Sequence, residues 1–404
     1  MKWGYGFMER KILIIGNGFD LYHGLPTRYT DFLFFADNWK IFKDEYDKHC
    51  KKGEARRGEA IKVRLSERKT LTEESLLDFS IHTDLYCEDH ISFLDEHLQN
   101  NAWLNFFRES RIPGRNWIDF EAEIERALNQ VELFYSEILP SSKNKIPTLN
   151  MPVFMKNVIS TFSIKAKEAE IGYQTLTNTM FRPNDWDFDS LNRNKTLLLE
   201  SMKKELDDLN KCLNYYMLDF VSALDICVYS EQIKDLGDIY LLNFNYTYTF
   251  AAIYGKRALI EHHPIHGEAK EEDLVLGIPD EAFPNSLDYI YFQKYFQRIQ
   301  KKTGNYYKEW PVRPDHPTLE DSQAKVYIMG HSLDKVDKGV LKDFFEEQNV
   351  KLIKIFYHSQ LDYENKVINL VDMFGKDFVI DQTNQERILF EELRPAVAGK
   401  PREE

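Results

Sequence analysis

The chain has 404 residues, with 52 Lys and Arg against 66 Asp and Glu, and a formal net charge of −14. A hydrophobic share of 43% with 14% aromatics is enough for a sizeable core, and excludes wholesale disorder and any fibrous class. The acidic balance excludes a protein that coats nucleic acid or an anionic membrane over most of its surface, because the summed field would repel phosphate.

At roughly 100–200 residues per domain, the length allows two to four domains, or one α/β domain with insertions. The cysteines, Cys50, Cys87, Cys212 and Cys227, form no CxxC pair. They offer neither a zinc ribbon nor a disulfide framework, so a cytoplasmic location is expected. No stretch approaches the ~20 apolar residues of a membrane helix. The early apolar run Ile12–Ile15 is too short for a secretory core and is ended by Gly16-Asn17-Gly18. Residues 1–8 are expected to be loosely held, and Met8 could be the true start.

Taken in chain order, Lys11–Ile15 reads as the first strand. Segment 48–69 then carries nine Lys/Arg and three Glu, and 70–100 carries eight Asp/Glu with no Lys or Arg. Two solvated helices that pair with each other account for this, but a basic patch for nucleic acid stays open. Amphipathic helices are expected over Ile118–Tyr135 and within Leu191–Leu224, the latter with Lys203, Lys204, Glu205 and Asp207 on its polar side. Asp238–Asn243 is the next strand, with a helix from about Thr247. Leu287–Gln300 reads as an aromatic helix, Lys325–Met329 and Lys351–Phe356 as strands, Lys338–Glu346 as a helix, and Asp377–Ile380 as a closing strand. Lys400–Glu404 reads as a frayed tail.

Short apolar strands, ending in Gly or Asn and followed by helical pattern, indicate an α/β fold with a mostly parallel sheet. Its strands fall in 1–40 and 236–385, giving a discontinuous nucleotide-binding core. A mainly helical insertion occupies 41–235, and a C-terminal helix end and tail occupy 386–404.

Candidate chemistry sits where these strands end. After the first strand comes Gly16-Asn17-Gly18-Phe19-Asp20, then Gly24-Leu25-Pro26-Thr27. A strand running into Gly-x-Gly lets backbone approach a ligand, and helix N–H groups can then hold phosphate; a plain tight turn is the alternative. Asp20 could cap the helix or meet a ribose hydroxyl, with capping preferred. Asn243, Asn245 and Thr247 are uncharged groups able to hold a sugar or orient water, or an Asn-capped turn.

Pro264 keeps His262 and His266 off a common helical face, so no metal is expected there. His266-Gly267 is better read as one imidazole offered to a pocket, where it could act as a general base. Gly330, Ser332 and Asp334 follow another strand and could contact a ligand, with Asp337 as N-cap of the next helix. The carboxylates Asp119, Glu121, Glu123 and Glu125 at a helix start could do acid–base work, though favourable helix-terminal charge explains them.

Together these segments resemble the AbiH family of bacteriophage abortive-infection proteins. The resemblance rests on ILIIGNGFDLYHGLPTRYTDF from Ile12, NWIDFE from Asn116, LLNFNYTYTF from Leu241, IHG from Ile265 and IMGHSLDKVD from Ile328. The same order is similar to the Rossmann-like, NAD-binding core of sirtuins, which carry GAG, G-[IL]-P, TQNID, HG and G-[TS]-S-L at the corresponding places.

The resemblance implies a phage-defence effector with large helical insertions in a sirtuin-like core. It implies NAD as substrate or ligand, Asn245 and His266 as catalytic residues, and cleavage of the nicotinamide–ribose bond. Gly16, Asn17, Gly18, Phe19, Asp20, Pro26, Thr27, Asn243, Thr247, Gly330, Ser332 and Asp334 would bind the nucleotide. Asn17 replaces the sirtuin alanine and Thr247 the aspartate of TQNID, and the cysteine pairs of the sirtuin zinc ribbon are missing, which argues against a protein deacylase. A non-catalytic nucleotide sensor stays open as an alternative, and a metal-dependent nuclease as a third. Besides the nucleotide, a second copy of the chain and a phage-derived trigger are the expected partners, and no membrane.

Overall fold

The computed structural model describes residues 10–52, 69–110, 119–141, 162, 188–311 and 323–401. The expectations for residues 1–8, for Asn116–Ile118, for most of the basic segment 48–69 and for the last three tail residues lie outside them.

Six parallel strands form the central sheet: β1 (Arg10–Ile15), β2 (Ile239–Asn243), β3 (Leu259–Pro264), β4 (Ala324–Met329), β5 (Val350–Tyr357) and β6 (Ile388–Glu392). In these labels their spatial order is 3-2-1-4-5-6. Alternation within β1 explains its central place. Ile12 and Ile14 face a core with Val326, Ile328, Ile353 and Phe344, while Leu13 and Ile15 face another with Leu241, Met329, Phe250 and Phe356. Both faces are covered, as a continuous β-branched run requires.

The expected strand at Asp377–Ile380 is instead part of a helix, Lys376–Asn384. The segment from 386, expected as a helix end and tail, supplies β6. Asp377–Ile380 is a short apolar run, and periodicity alone does not separate such a run from one face of a helix.

Long excursions leave the sheet between β1 and β2, and again between β3 and β4. The first includes helices Phe120–Ser141 and Phe188–Tyr215, the latter continuing as a π-helical turn over Tyr216–Val221. They build an aromatic core around Phe32, Phe35, Trp39, Phe120 and Phe220. The second excursion contributes Leu276, Ile278, Tyr289 and Phe292 to the same core, so two insertions fold as one helical body.

The single helix expected over Leu287–Gln300 is a 3₁₀ turn, Leu287–Phe292, followed by an α-helix, Lys294–Lys301. The chain turns extended at Gln293, whose side chain donates to the Ala282 carbonyl and whose amide bonds Ile290. Glu205, expected on the polar side of its helix, is buried and accepts from the Ala102 amide at 2.7 Å. Among the described residues, no helix is long and apolar enough to cross a membrane.

Candidate functional site at the carboxyl edge of the sheet

Strand register decides what meets at this edge. Ile15 pairs with Asn243 on one side and Met329 on the other, and Asn243 pairs with Pro264. Backbone bonds carry the alignment one step further: Gly16 N to Met329 O at 3.1 Å, Phe244 N to Ile15 O at 2.9 Å, and Ile265 N to Asn243 O at 2.8 Å. Gly16, Asn245, His266 and Ser332 therefore all leave the same, carboxyl edge, where open α/β sheets bind ligands. A surface cavity of roughly 490 Å³ lined by Phe345, Lys351, Gln382 and Arg387 lies at the opposite edge, where β5 and β6 begin. Its guanidinium is held by the carbonyls of Phe345, Glu347 and Val350, so chemistry and cavity do not coincide.

The glycines let two loops approach closely. Gly18 donates its amide to the Gly330 carbonyl at 2.8 Å, and Phe19 donates to Gly16 O at 2.8 Å. A Cβ on Gly18 would stand 2.7 Å from Gly330 Cα, and one on Gly16 would stand 2.7 Å from His331 Cα. Loops after β1 and β4 are pressed together, and the amides of Gly16, Gly18 and Phe19 are spent on backbone carbonyls. A phosphate cradle built from these three amides does not fit. Asn17 is exposed, and its side-chain oxygen accepts from Thr27 Oγ1 at 2.5 Å. Pro26 O accepts from Tyr216 Oη at 2.7 Å, which fastens the Gly24–Thr27 loop to the π-helical turn.

The loop after β2 is a side-chain-built turn. Asn243 donates to Thr247 O at 3.0 Å and accepts from the Asn245 amide at 2.9 Å, so its carboxamide holds the turn and leads to a helix at Thr249–Tyr254. Thr247 donates to Asp20 Oδ2 at 2.6 Å and lies 2.8 Å from the Thr249 hydroxyl. Asp20 thus caps no helix; it is buried against the neighbouring loop. Burial raises its pKa to about 6, against Thr247, Thr249 and Asn245, which favour the ionised form. The side-chain oxygen of the buried Asn245 has no hydrogen-bond partner.

His266 belongs to a buried ionic node. Its Nε2 stands 3.3 Å from Asp337 Oδ1, and His331 Nε2 stands 3.3 Å from Asp337 Oδ2. The Leu333 amide donates to His331 Nδ1 at 2.9 Å, so the His331 proton is on Nε2, facing the carboxylate. Lys294 Nζ lies 3.3 Å from Asp337 and 2.9 Å from Glu121. Asp337 occupies the N-cap position of Lys338–Phe345, but its side chain does not cap it.

Burial works against the Asp337 carboxylate, yet Lys294 and the two imidazoles hold its pKa well below the ordinary value. Burial also works against the Lys294 ammonium, and Asp337 and Glu121 more than offset it. The two sides of the Lys294–Glu121 pair differ: burial pushes Glu121 up to about 7, with Lys294 opposing and Asp337 and Asp119 adding to it. Burial, then the Lys294 charge, lowers His266 to about 4, so it is a neutral base at pH 7.

Around the rim, Ser332 and Asp334 are exposed. Asp334 accepts from Val336 N at 3.0 Å and its amide bonds Ser332 Oγ at 3.3 Å, the loop-and-cap alternative. Asp119 accepts from the Glu121 and Ala122 amides at the helix start. Lys294, Glu121, His331 and Asp337 as one node had no sequence signal, because three separate segments supply them. Among the described residues, no group of three His, Cys, Asp or Glu is placed to hold a metal ion.

A parallel sheet of order 3-2-1-4-5-6, with buried polar residues at its carboxyl edge, defines a Rossmann-like α/β protein interrupted by helical insertions. The chain belongs to the AbiH family: the family model described as bacteriophage abortive infection AbiH matches residues 12–359. No curated protein and no solved structure matches it.

Proposed function

We propose that the chain is a phage-defence effector that binds NAD or a related nucleotide at the carboxyl edge of its sheet and cleaves the nicotinamide–ribose bond. One observation carries this reading: the sheet order of dinucleotide-binding folds brings the buried Asn245 carboxamide and a neutral His266 to one edge. In the reaction, the oxygen of water bonds to the ribose carbon as the carbon–nitrogen bond breaks. Nicotinamide leaves as a neutral molecule with that electron pair, and His266 accepts the proton released by the water. Asn245 orients the water or the ribose.

Mass spectrometry of NAD incubated with pure protein tests this. Loss of an isolated general base typically removes about 10²–10⁴ in rate, so His266→Ala should nearly abolish turnover. Asn245→Ala should do likewise, and both variants should lose phage protection. NAD left intact by the parent chain, even during infection, would sink the hydrolase reading. Burial of both groups favours a second reading, in which the same site senses a nucleotide without cleaving it. Phage protection that survives His266→Ala would select the sensor.

A further inference from the structure

We propose that Asp337 and His331 are positioning residues for His266, fixing its proton on Nε2 so that Nδ1 is the atom that takes the proton from water. This deepens the hydrolase reading above and rests on it. Asp337 presents one carboxylate oxygen to each imidazole: Oδ1 stands 3.3 Å from His266 Nε2, and Oδ2 stands 3.3 Å from His331 Nε2. A ring nitrogen facing a carboxylate is favourable only as an N–H, since two lone pairs would otherwise meet. Both rings therefore carry their proton on Nε2.

The two imidazoles then differ at the other nitrogen. His331 Nδ1 accepts from the Leu333 amide at 2.9 Å, so its lone pair is spent within its own loop. His266 keeps the lone pair on Nδ1, and of the two rings it is the one able to act as a base. Phe244, the first residue after β2, stands nearly perpendicular to both rings, its centroid 5.4 Å from His266 and 4.4 Å from His331. It sets the planes in which they meet the carboxylate. Lys366 donates to His331 O at 2.8 Å and Asn369 to Ser332 O at 2.9 Å, so the loop that carries His331 is itself held.

The same contacts govern the charged state that the reaction creates. As the water oxygen bonds to the ribose carbon, its proton goes to Nδ1, and the imidazolium holds both protons with Nε2–H toward Asp337. Burial, Lys294 and Arg298 oppose that charge, and Asp337 favours it. Lys294, 3.3 Å from the same Oδ1, helps to keep Asp337 ionised, so the carboxylate stabilises the imidazolium without taking its proton.

The test is steady-state cleavage of NAD by the full chain, with histidine ¹⁵N NMR on the same proteins. Asp337→Asn should lower kcat at least about tenfold while KM holds, because the imidazole loses its orientation and its counter-charge and the ligand contacts stay. His331→Ala should act in the same direction, and serves if Asp337→Asn does not fold. In the parent, the His266 signal, assigned by its loss in His266→Ala, should show the proton on Nε2; in Asp337→Asn the proton should spread over both nitrogens. A proton on Nδ1 in the parent overturns the assignment. So does a kcat that both variants leave unchanged, or a KM that rises while kcat holds. In each of those cases an active parent leaves the hydrolase reading standing. A parent chain that leaves NAD intact takes down that reading, and this assignment with it.

Discussion

Gly330 lies so close to the first loop that a Cβ on it would stand 2.0 Å from the Phe19 amide nitrogen. Its φ of +72° is in the left-handed region as well, so a side chain there is opposed twice. Gly330→Ala should therefore cost at least about 3 kcal/mol of stability, through clash and backbone strain together. Gly18→Val meets the Gly330 backbone and should also act on folding, before any effect on ligand. Circular-dichroism melts measure both, and a Gly330→Ala protein that melts with the parent would contradict the loop-on-loop packing.

Lys294 joins the second insertion to Glu121 of the first and Asp337 of the core. Removing one partner of a buried ion pair typically costs about 3–5 kcal/mol, and Lys294→Met should fall in that range. Glu121→Gln should cost less. With its pKa at about 7, Glu121 already carries a proton part of the time at neutral pH. Urea unfolding at pH 7 ranks the two variants, and the opposite order would show that Glu121 carries the greater share of the node.

His23 ties α/β core to loop through its ring: Nδ1 lies 2.7 Å from Phe19 O, and Nε2 3.0 Å from the Tyr254 hydroxyl. Burial is the main cause that lowers its pKa to about 4, with Lys69 adding to it and the Phe19 carbonyl opposing. The unfolded chain, near the ordinary 6.5, binds this proton first as pH falls. Stability from His23 is thus full above 6.5 and is lost between 6.5 and 4, on the order of 3 kcal/mol at about 1.4 per unit. The stability gap between parent and His23→Gln should narrow over that window. A gap that does not change with pH would show that His23 is not held neutral.

Asn243 uses both ends of its carboxamide within the turn that carries Asn245. Asn243→Ala leaves the Asn245 amide and the Thr247 carbonyl unpaired, a cost of about 1–3 kcal/mol. Asn245 loses its fixed position too, so NAD affinity should fall along with the melting temperature. Stability that falls while affinity holds would separate the turn from the site.

Much of the core was legible because its signal is local. Lys11–Ile15, Asp238–Asn243, Lys325–Met329 and Lys351–Phe356 are each apolar, β-branched and punctuated, and each became a strand within one or two residues. Local signal misled at Asp377–Ile380, which is helical, and it gave no hint that Gly18 packs on Gly330. The Leu259–Pro264 strand hides because its burial is mixed and two histidines interrupt its apolar run.

The sequence by itself determined the α/β class and the strand ends that carry the motifs. All of these depend on residues within a few positions of one another. Only the tertiary structure decided that Asp20 meets Thr247, that Lys294 bridges Glu121 and Asp337, and that Gly18 packs on Gly330. Those pairs are separated by 43 to 312 positions along the chain, and strand register and the docking of the two insertions bring them together. Burial then sets their chemistry, raising Asp20 and lowering His266, because a charge is costly wherever the fold has removed water.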